Sequence, residues 1–262
     1  MVNEILTKFR KKRYSQNNEE LIIRDFFQDR KGGFFVDIGA AWPAKDSTTF
    51  YLERHLGWAG IAVDALSIYE SAWKRRRPHS KFLNYAVADR SGETVAFYQH
   101  AISSLSSLSK DHSSRWGGEN NLTPLQVQTI TLNDLLDENN VTKIDFLSMD
   151  IEGGEPEALK KFDIKRFRPD FVCIEKGPPK GPRPSLLRYF DNHGYERIEK
   201  YIPYDRVNWY FKPQQAVPAV GSIFGSVTGE VEIPTSAPSA LQGRYAGEVE
   251  VRYNRKNPNH SR

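Results

Sequence analysis

The chain has 262 residues, of which 39% are hydrophobic and 27% charged, and a formal net charge of +4. That is enough for one large α/β domain or two small ones with a real core, and the modest basicity permits an acidic substrate without demanding nucleic acid. No run approaches the ~20 apolar residues of a membrane span, the first 13 residues lack the apolar core of a signal peptide, and the single Cys173 cannot form an internal disulfide. A soluble, cytoplasmic protein with no membrane partner is expected.

The basic run Phe9–Tyr14 (FRKKRY) reads as a solvated arm spanning residues 1–14. Ser15 to Phe27 has Ser15 or Asn17 as cap and apolar residues at helical spacing, predicting a helix that docks before the first strand. Gly33 to Pro43 (GFFVDIGAAWP) then reads as a buried parallel strand that delivers Asp37 to a turn at Gly39. A dinucleotide fold would place two more glycines here, where Ala41 and Pro43 stand. The turn therefore suits a ligand without phosphates and with a charged amine for Asp37, a description that S-adenosylmethionine meets.

Lys45 to Leu56 is expected to form the first crossover helix, and Gly60 to Ala65 (GIAVDA) a second buried strand ending in Asp64. An acid at that place hydrogen-bonds a ribose diol in such folds. The helix Ser67–Arg77 gathers Lys74, Arg75, Arg76 and Arg77 at its C-terminus, which reads as a complement to the helix dipole. Lys81 to Asp89 (KFLNYAVAD) predicts a third strand with a third terminal acid.

With Asp37-Ile-Gly39, Asp64 after GIAV, AVAD before a Ser-Gly turn, and KIDFLSMDIEGGEPEAL further on, the chain resembles the FkbM-type S-adenosylmethionine-dependent methyltransferases. The resemblance spans roughly Ser15 to Lys212 and is most specific at Asp150-Ile-Glu152-Gly-Gly-Glu155. It implies a class I, Rossmann-like three-layer α/β sandwich whose seven-stranded sheet is mostly parallel with one antiparallel strand. It also implies O-methylation of a small molecule or glycan. Pro43 departs from the glycine found in many members, so the loop around the methionine tail is expected to be shaped differently.

Thr94 to Tyr98 reads as a short strand, and the serine-rich segment 101–121, carrying His112, Arg115 and Trp116, as a loop long enough to cover a substrate. Leu125–Leu132 alternates as a half-exposed strand. Lys143–Gly154 is a central strand with Asp150, Glu152 and Glu155 crowded at its exit, an arrangement that needs a cation, hydrogen-bond donors or a raised pKa. Glu155 is read as starting the next helix, where the dipole favours acids. Asp170–Lys176 is a further strand ending in Glu175, followed by a Pro/Gly loop with Lys176, Lys180 and Arg183. Tyr195–Lys200 and Val207–Lys212 alternate as paired strands that close the domain near residue 213. Residues 214–262 turn to Pro, Gly, Ser and Ala, with Gly229–Ile233 echoed by Gly247–Val251 as a pair of short edge strands.

Three site assignments follow. Asp37, Gly39 and Ala40 take the methionine end of S-adenosylmethionine, Asp64 and Ala65 the ribose, and Ala88 and Asp89 the adenine edge. Asp150, also placed against the cofactor, joins Glu152 and Glu175 as the catalytic acids, and these three are the ligands of a divalent metal if one binds. A small-molecule or glycan acceptor is expected rather than nucleic acid, because the basic clusters form no aromatic-interleaved stripe. The alternatives are a nicotinamide-dependent oxidoreductase on a similar sheet and a noncatalytic cofactor-binding module.

Overall fold

A computed structural model of the chain describes residues 4–9, 14–102, 105–114, 119–177 and 183–215. The expected 214–262 edge strands, and Lys180, Arg115 and Trp116, lie outside the described residues. The main sheet has seven strands in the order β3 (Ser80–Asn84), β2 (Ala59–Asp64), β1 (Phe34–Ile38), β7 (Phe146–Met149), β8 (Phe171–Glu175), β10 (Asn208–Pro213) and β9 (Tyr195–Arg197). β10 alone runs against its neighbours, pairing antiparallel with both β8 and β9. This is the class I methyltransferase arrangement, a Rossmann-like α/β sandwich.

Side chains alternate faces along a strand, so each buried strand feeds two cores at once. Val36, Ile38, Leu147, Met149, Val172 and Ile174 point to one core with the helices α6 (Leu132–Glu138), α7 (Glu155–Leu159), α8 (Ile164–Phe167) and α9 (Arg183–Asn192). Phe35, Phe146, Phe171 and Cys173 point to the other, against α1 (Glu4–Phe9), α2 (Glu19–Phe27) and α3 (Phe50–Leu56). α1 departs from the solvated arm expected of residues 1–14. Ile5 and Phe9 are buried, and Arg24 of α2 stacks over the Phe9 ring. Apolar side chains here outweigh the basic run that follows them, Arg10 to Arg13, which lies outside the described residues.

Two element boundaries also shift. The first crossover helix starts at Phe50 rather than Lys45, since Asp46 takes a left-handed φ of 58° and the preceding loop is held by side chains. The third strand of the main sheet ends at Asn84. The chain then crosses to β4 (Ala86–Val87), which joins β6 (Leu122–Ile130) and β5 (Thr94–His100) in a separate three-stranded sheet. α4 (Glu70–Arg76) packs Trp73 against Phe82 of β3. Among the described residues no helix is long and apolar enough to cross a membrane.

Gly39 ends β1 with φ 80°, and a Cβ there would overlap the backbone carbonyl oxygen of Asp150. The glycine thus lets the β1 and β7 exits close on one another. Gly39→Ala is expected to cost about 3 kcal/mol or more, from left-handed strain and a backbone clash together. Thermal unfolding checks this, and a melting temperature within a degree or two of wild type would refute the packing described.

Candidate active site

The parallel strands deliver their C-terminal ends to a single cavity of about 420 Å³. Its walls come from the β1 turn (Asp37 to Trp42), the β2 exit (Val63 to Leu66), Tyr85 to Val87, and the β7 exit (Ser148, Asp150 to Glu152 and Gly154). Segment 101–121, expected as a substrate cover, contributes Ile102, Leu105, Ser106 and Leu108 to the same lining. It carries a short helix, α5 (Lys110–Ser114), and is tied down at Glu152. The Ser107 hydroxyl donates to the Glu152 carbonyl at 3.0 Å, and His112 Nε2 lies 2.8 Å from Glu152 Oε2.

Of the expected cofactor residues, the cavity gathers Asp37, Gly39, Ala40, Asp64, Ala65 and Asp150. Asp64 accepts hydrogen bonds from the amides of Ala41 (2.9 Å) and Leu66 (2.8 Å), which lock the two strand-end turns together. Burial nonetheless raises its pKa to about 6, against the pull of those two amides. Asp37 accepts from Thr49 Oγ1 at 2.7 Å, and burial outweighs that bond to raise its pKa as well.

Ala88 and Asp89 are a correction. Neither lines the cavity, because the chain leaves the main sheet at Asn84 and Asp89 turns to Lys160 at 3.3 Å. The wall at that place is Tyr85, Ala86 and Val87.

The acids expected to be catalytic are also regrouped. Asp150 is exposed to the cavity although protein surrounds it. Burial and then the nearby Glu175, Glu152 and Glu155 hold its pKa well above the carboxylate range. Glu175, half-buried at the end of β8, is pushed up to about 7 by burial and then by Glu155 and Glu152. Glu155 is fully buried. Its Oε1 accepts from the amides of Ile151 (2.9 Å) and Gly153 (3.4 Å), closing the turn in which Glu152 itself has a left-handed φ of 53°. Glu155 was expected only to start a helix. It does so, and its carboxylate also stands beside those of Asp150 and Glu175, while Glu152 is drawn toward His112.

Sequence reasoning missed Arg77. Rather than complementing a helix dipole from the surface, it is 1% exposed. Its guanidinium reaches Glu53 (2.5 Å), the Pro43 carbonyl (3.0 Å) and Thr49 Oγ1 (3.2 Å). Through Thr49 it supports Asp37, and through Pro43 it shapes the loop beside the cavity. Trp42, 46% exposed at the rim with its ring edge-on to Tyr69, was also not singled out.

The lining suits the expected cofactor. Six acids, Glu19, Asp37, Asp46, Asp64, Asp150 and Glu152, face a single cation, Lys45, among its described residues. Such a wall favours a ligand bearing sulfonium and ammonium charges and disfavours a pyrophosphate.

The chain is similar to several solved structures and to one family model. Similar solved structures include the TehB-like SAM-dependent methyltransferase from Corynebacterium glutamicum, with 14% identity and a TM-score of 0.45 over 80% of this chain and 92% of that one. Another is the Burkholderia thailandensis 1,6-didemethyltoxoflavin-N1-methyltransferase, with 12% identity and a TM-score of 0.38 over 75% of this chain and 77% of that one. A third is a SAM-dependent methyltransferase from Thiobacillus denitrificans in complex with S-adenosyl-L-homocysteine, with 12% identity and a TM-score of 0.37 over 75% and 71%. Likenesses this distant add nothing on substrate, and no curated protein matches the chain. The methyltransferase FkbM domain, however, matches residues 37–197, from the β1 exit to the end of β9, and takes in Asp37, Asp64, Asp150, Glu152, Glu155 and Glu175. The chain belongs to the FkbM methyltransferase family.

Proposed function

We propose that the protein transfers a methyl group from S-adenosylmethionine to a hydroxyl of a small molecule or glycan. The observation that carries this reading is the acidic cavity at the β1, β2 and β7 exits, built around Asp64 and opening onto Asp150. When bound, the cofactor supplies an electrophilic methyl group. The Asp37–Ala41 turn holds its methionine end, Asp64 accepts from the ribose hydroxyls, and Tyr85 to Val87 flank the adenine. Asp150 takes the proton of the acceptor hydroxyl, a role its place in the cavity wall at the β7 exit supports. Trp42 and Ile102, exposed at the rim, give the acceptor an apolar edge. Nucleic acid is not the proposed acceptor, since an acid-lined mouth repels phosphates. A nicotinamide cofactor is disfavoured by the same charge and by the missing glycines.

Transfer of label from methyl-labelled S-adenosylmethionine to a panel of hydroxylated metabolites and glycans tests the reading. Label on at least one hydroxyl is expected; label appearing only on RNA would reverse the choice of acceptor.

The proton balance at Asp64 makes a second test. Only the ionised carboxylate offers its full acceptor capacity to a ribose, and in the ligand-free protein it ionises near pH 6. Cofactor affinity should therefore be level above that pH and fall below it, approaching about tenfold per pH unit. Asp64→Asn should be weaker above that pH and should lose this slope. An affinity that instead rises as the pH is lowered from 7 to 5 would remove Asp64 from the ribose site.

A further inference from the structure

We propose that Asp150, Glu155 and Glu175 bind one hard divalent cation of the Mg²⁺, Mn²⁺ or Ca²⁺ kind at the exits of β7 and β8. Each offers a carboxylate oxygen, and these oxygens all lie within 4.8 Å of one another. An ion with metal–oxygen distances of about 2.0–2.6 Å spans oxygens up to roughly 4–5 Å apart, so the cluster needs little adjustment to close on one. All-oxygen donors select this class of ion over zinc or copper.

Acids can crowd together without binding anything, and here a second observation points to a ligand. Glu155 is fully buried, and with Oε1 committed to the Ile151 and Gly153 amides, its Oε2 has no hydrogen-bond partner. Oε2 of Glu175 is buried and unpartnered in the same way. Buried carboxylate oxygens are rarely left without a donor, because desolvation then goes uncompensated. Among the described residues no lysine or arginine is seen in an ion pair with any of the three acids, and His112 is bonded to Glu152.

This ligand set differs from the one expected from sequence. Glu152 had been grouped with Asp150 and Glu175, but its Oε2 is taken by His112, while Glu155 faces the other two. Asp150 lines the cavity, so an ion held there faces the acceptor side and would make a bound hydroxyl more acidic. That consequence rests on the methyltransferase reading; the binding of the ion does not.

The test uses the full chain, freed of metal by chelation and titrated with Mn²⁺ alone. The free ion is followed by electron paramagnetic resonance, with Mg²⁺ and Ca²⁺ as competitors. One ion per chain is expected. Glu175→Gln and Asp150→Asn should each weaken it at least about tenfold, the scale on which even outer-shell partners act. Glu152→Gln should leave it within a few-fold of wild type. Glu155→Gln disturbs a buried turn, so the half-buried Glu175 carries the decision, with circular dichroism confirming the fold. No saturable Mn²⁺ binding by the folded chain overturns the site, as does equal binding by wild type and Glu175→Gln. An ion bound without any affinity for S-adenosylhomocysteine would count against the methyltransferase reading and leave the metal site standing.

Discussion

Asp150→Asn is expected to lower kcat by about 10²–10⁴-fold while leaving cofactor affinity nearly unchanged. The amide keeps the shape of the side chain but neither takes a proton nor carries charge. Asp150 stands where this matters, at the β7 exit, with Gly39 packed on its carbonyl and its carboxylate open to the cavity. Methyl transfer gains much from positioning alone, so residual turnover should persist in the variant. Asp150, Glu155 and Glu175 stand together, and the pH profile reports the set rather than one residue. Because burial and the neighbouring acids favour the protonated form of Asp150, activity should rise with pH beyond the ordinary carboxylate range. Single-turnover rates at several pH values check both statements. Near-wild-type turnover in the variant would make these acids structural.

The second large effect is on stability and falls on Arg77. Arg77→Met should cost about 3–5 kcal/mol, because it breaks a buried ion pair and takes the cation from beside Glu53, itself 7% exposed. Surface arginines at helix ends cost far less, so the size of the effect separates the two readings of this residue. Pairing Arg77→Met with Glu53→Leu should recover part of the loss, since an apolar pair removes both buried charges. Cofactor affinity should remain reduced in the double variant, because Thr49 and the Pro43 carbonyl lose the guanidinium that orders them beside Asp37. Chemical denaturation with a cofactor titration measures both. A stability loss under about 1 kcal/mol would place Arg77 back among solvated charges.

The sheet was legible in the sequence because buried parallel strands are contiguous apolar runs. FFVDI, GIAVD and FVCIE each appear as strands with the acid at the exit, as read. The reversed strand was legible as a family expectation, and it is β10, lodged between β8 and β9. Asp89 misled because KFLNYAVAD looks continuous, whereas the change of sheet between Asn84 and Ala86 leaves no mark in apolar content. Arg77 was hidden for a different reason. Its partners Glu53, Pro43 and Thr49 lie 24 to 34 positions earlier, and neighbouring Arg75 and Arg76 are the exposed charges it resembled. The DIEGGE block announced a functional turn but not which acid faces which way. That is decided by the left-handed backbone at Glu152 and Gly153 and by His112, 40 positions away. A polar histidine in a serine-rich segment was the available signal for that contact.

The proposed methyl transfer depends on the acidic cavity holding S-adenosylmethionine. Isothermal titration of the folded full chain with S-adenosylhomocysteine, with NADH as the control, tests it most directly. Saturable binding of one S-adenosylhomocysteine per chain is expected, weakened at least about tenfold by Asp64→Ala through loss of charge-assisted hydrogen bonds, and no heat with NADH. Absence of binding to both S-adenosylmethionine and S-adenosylhomocysteine, or saturable binding of NADH, would contradict it.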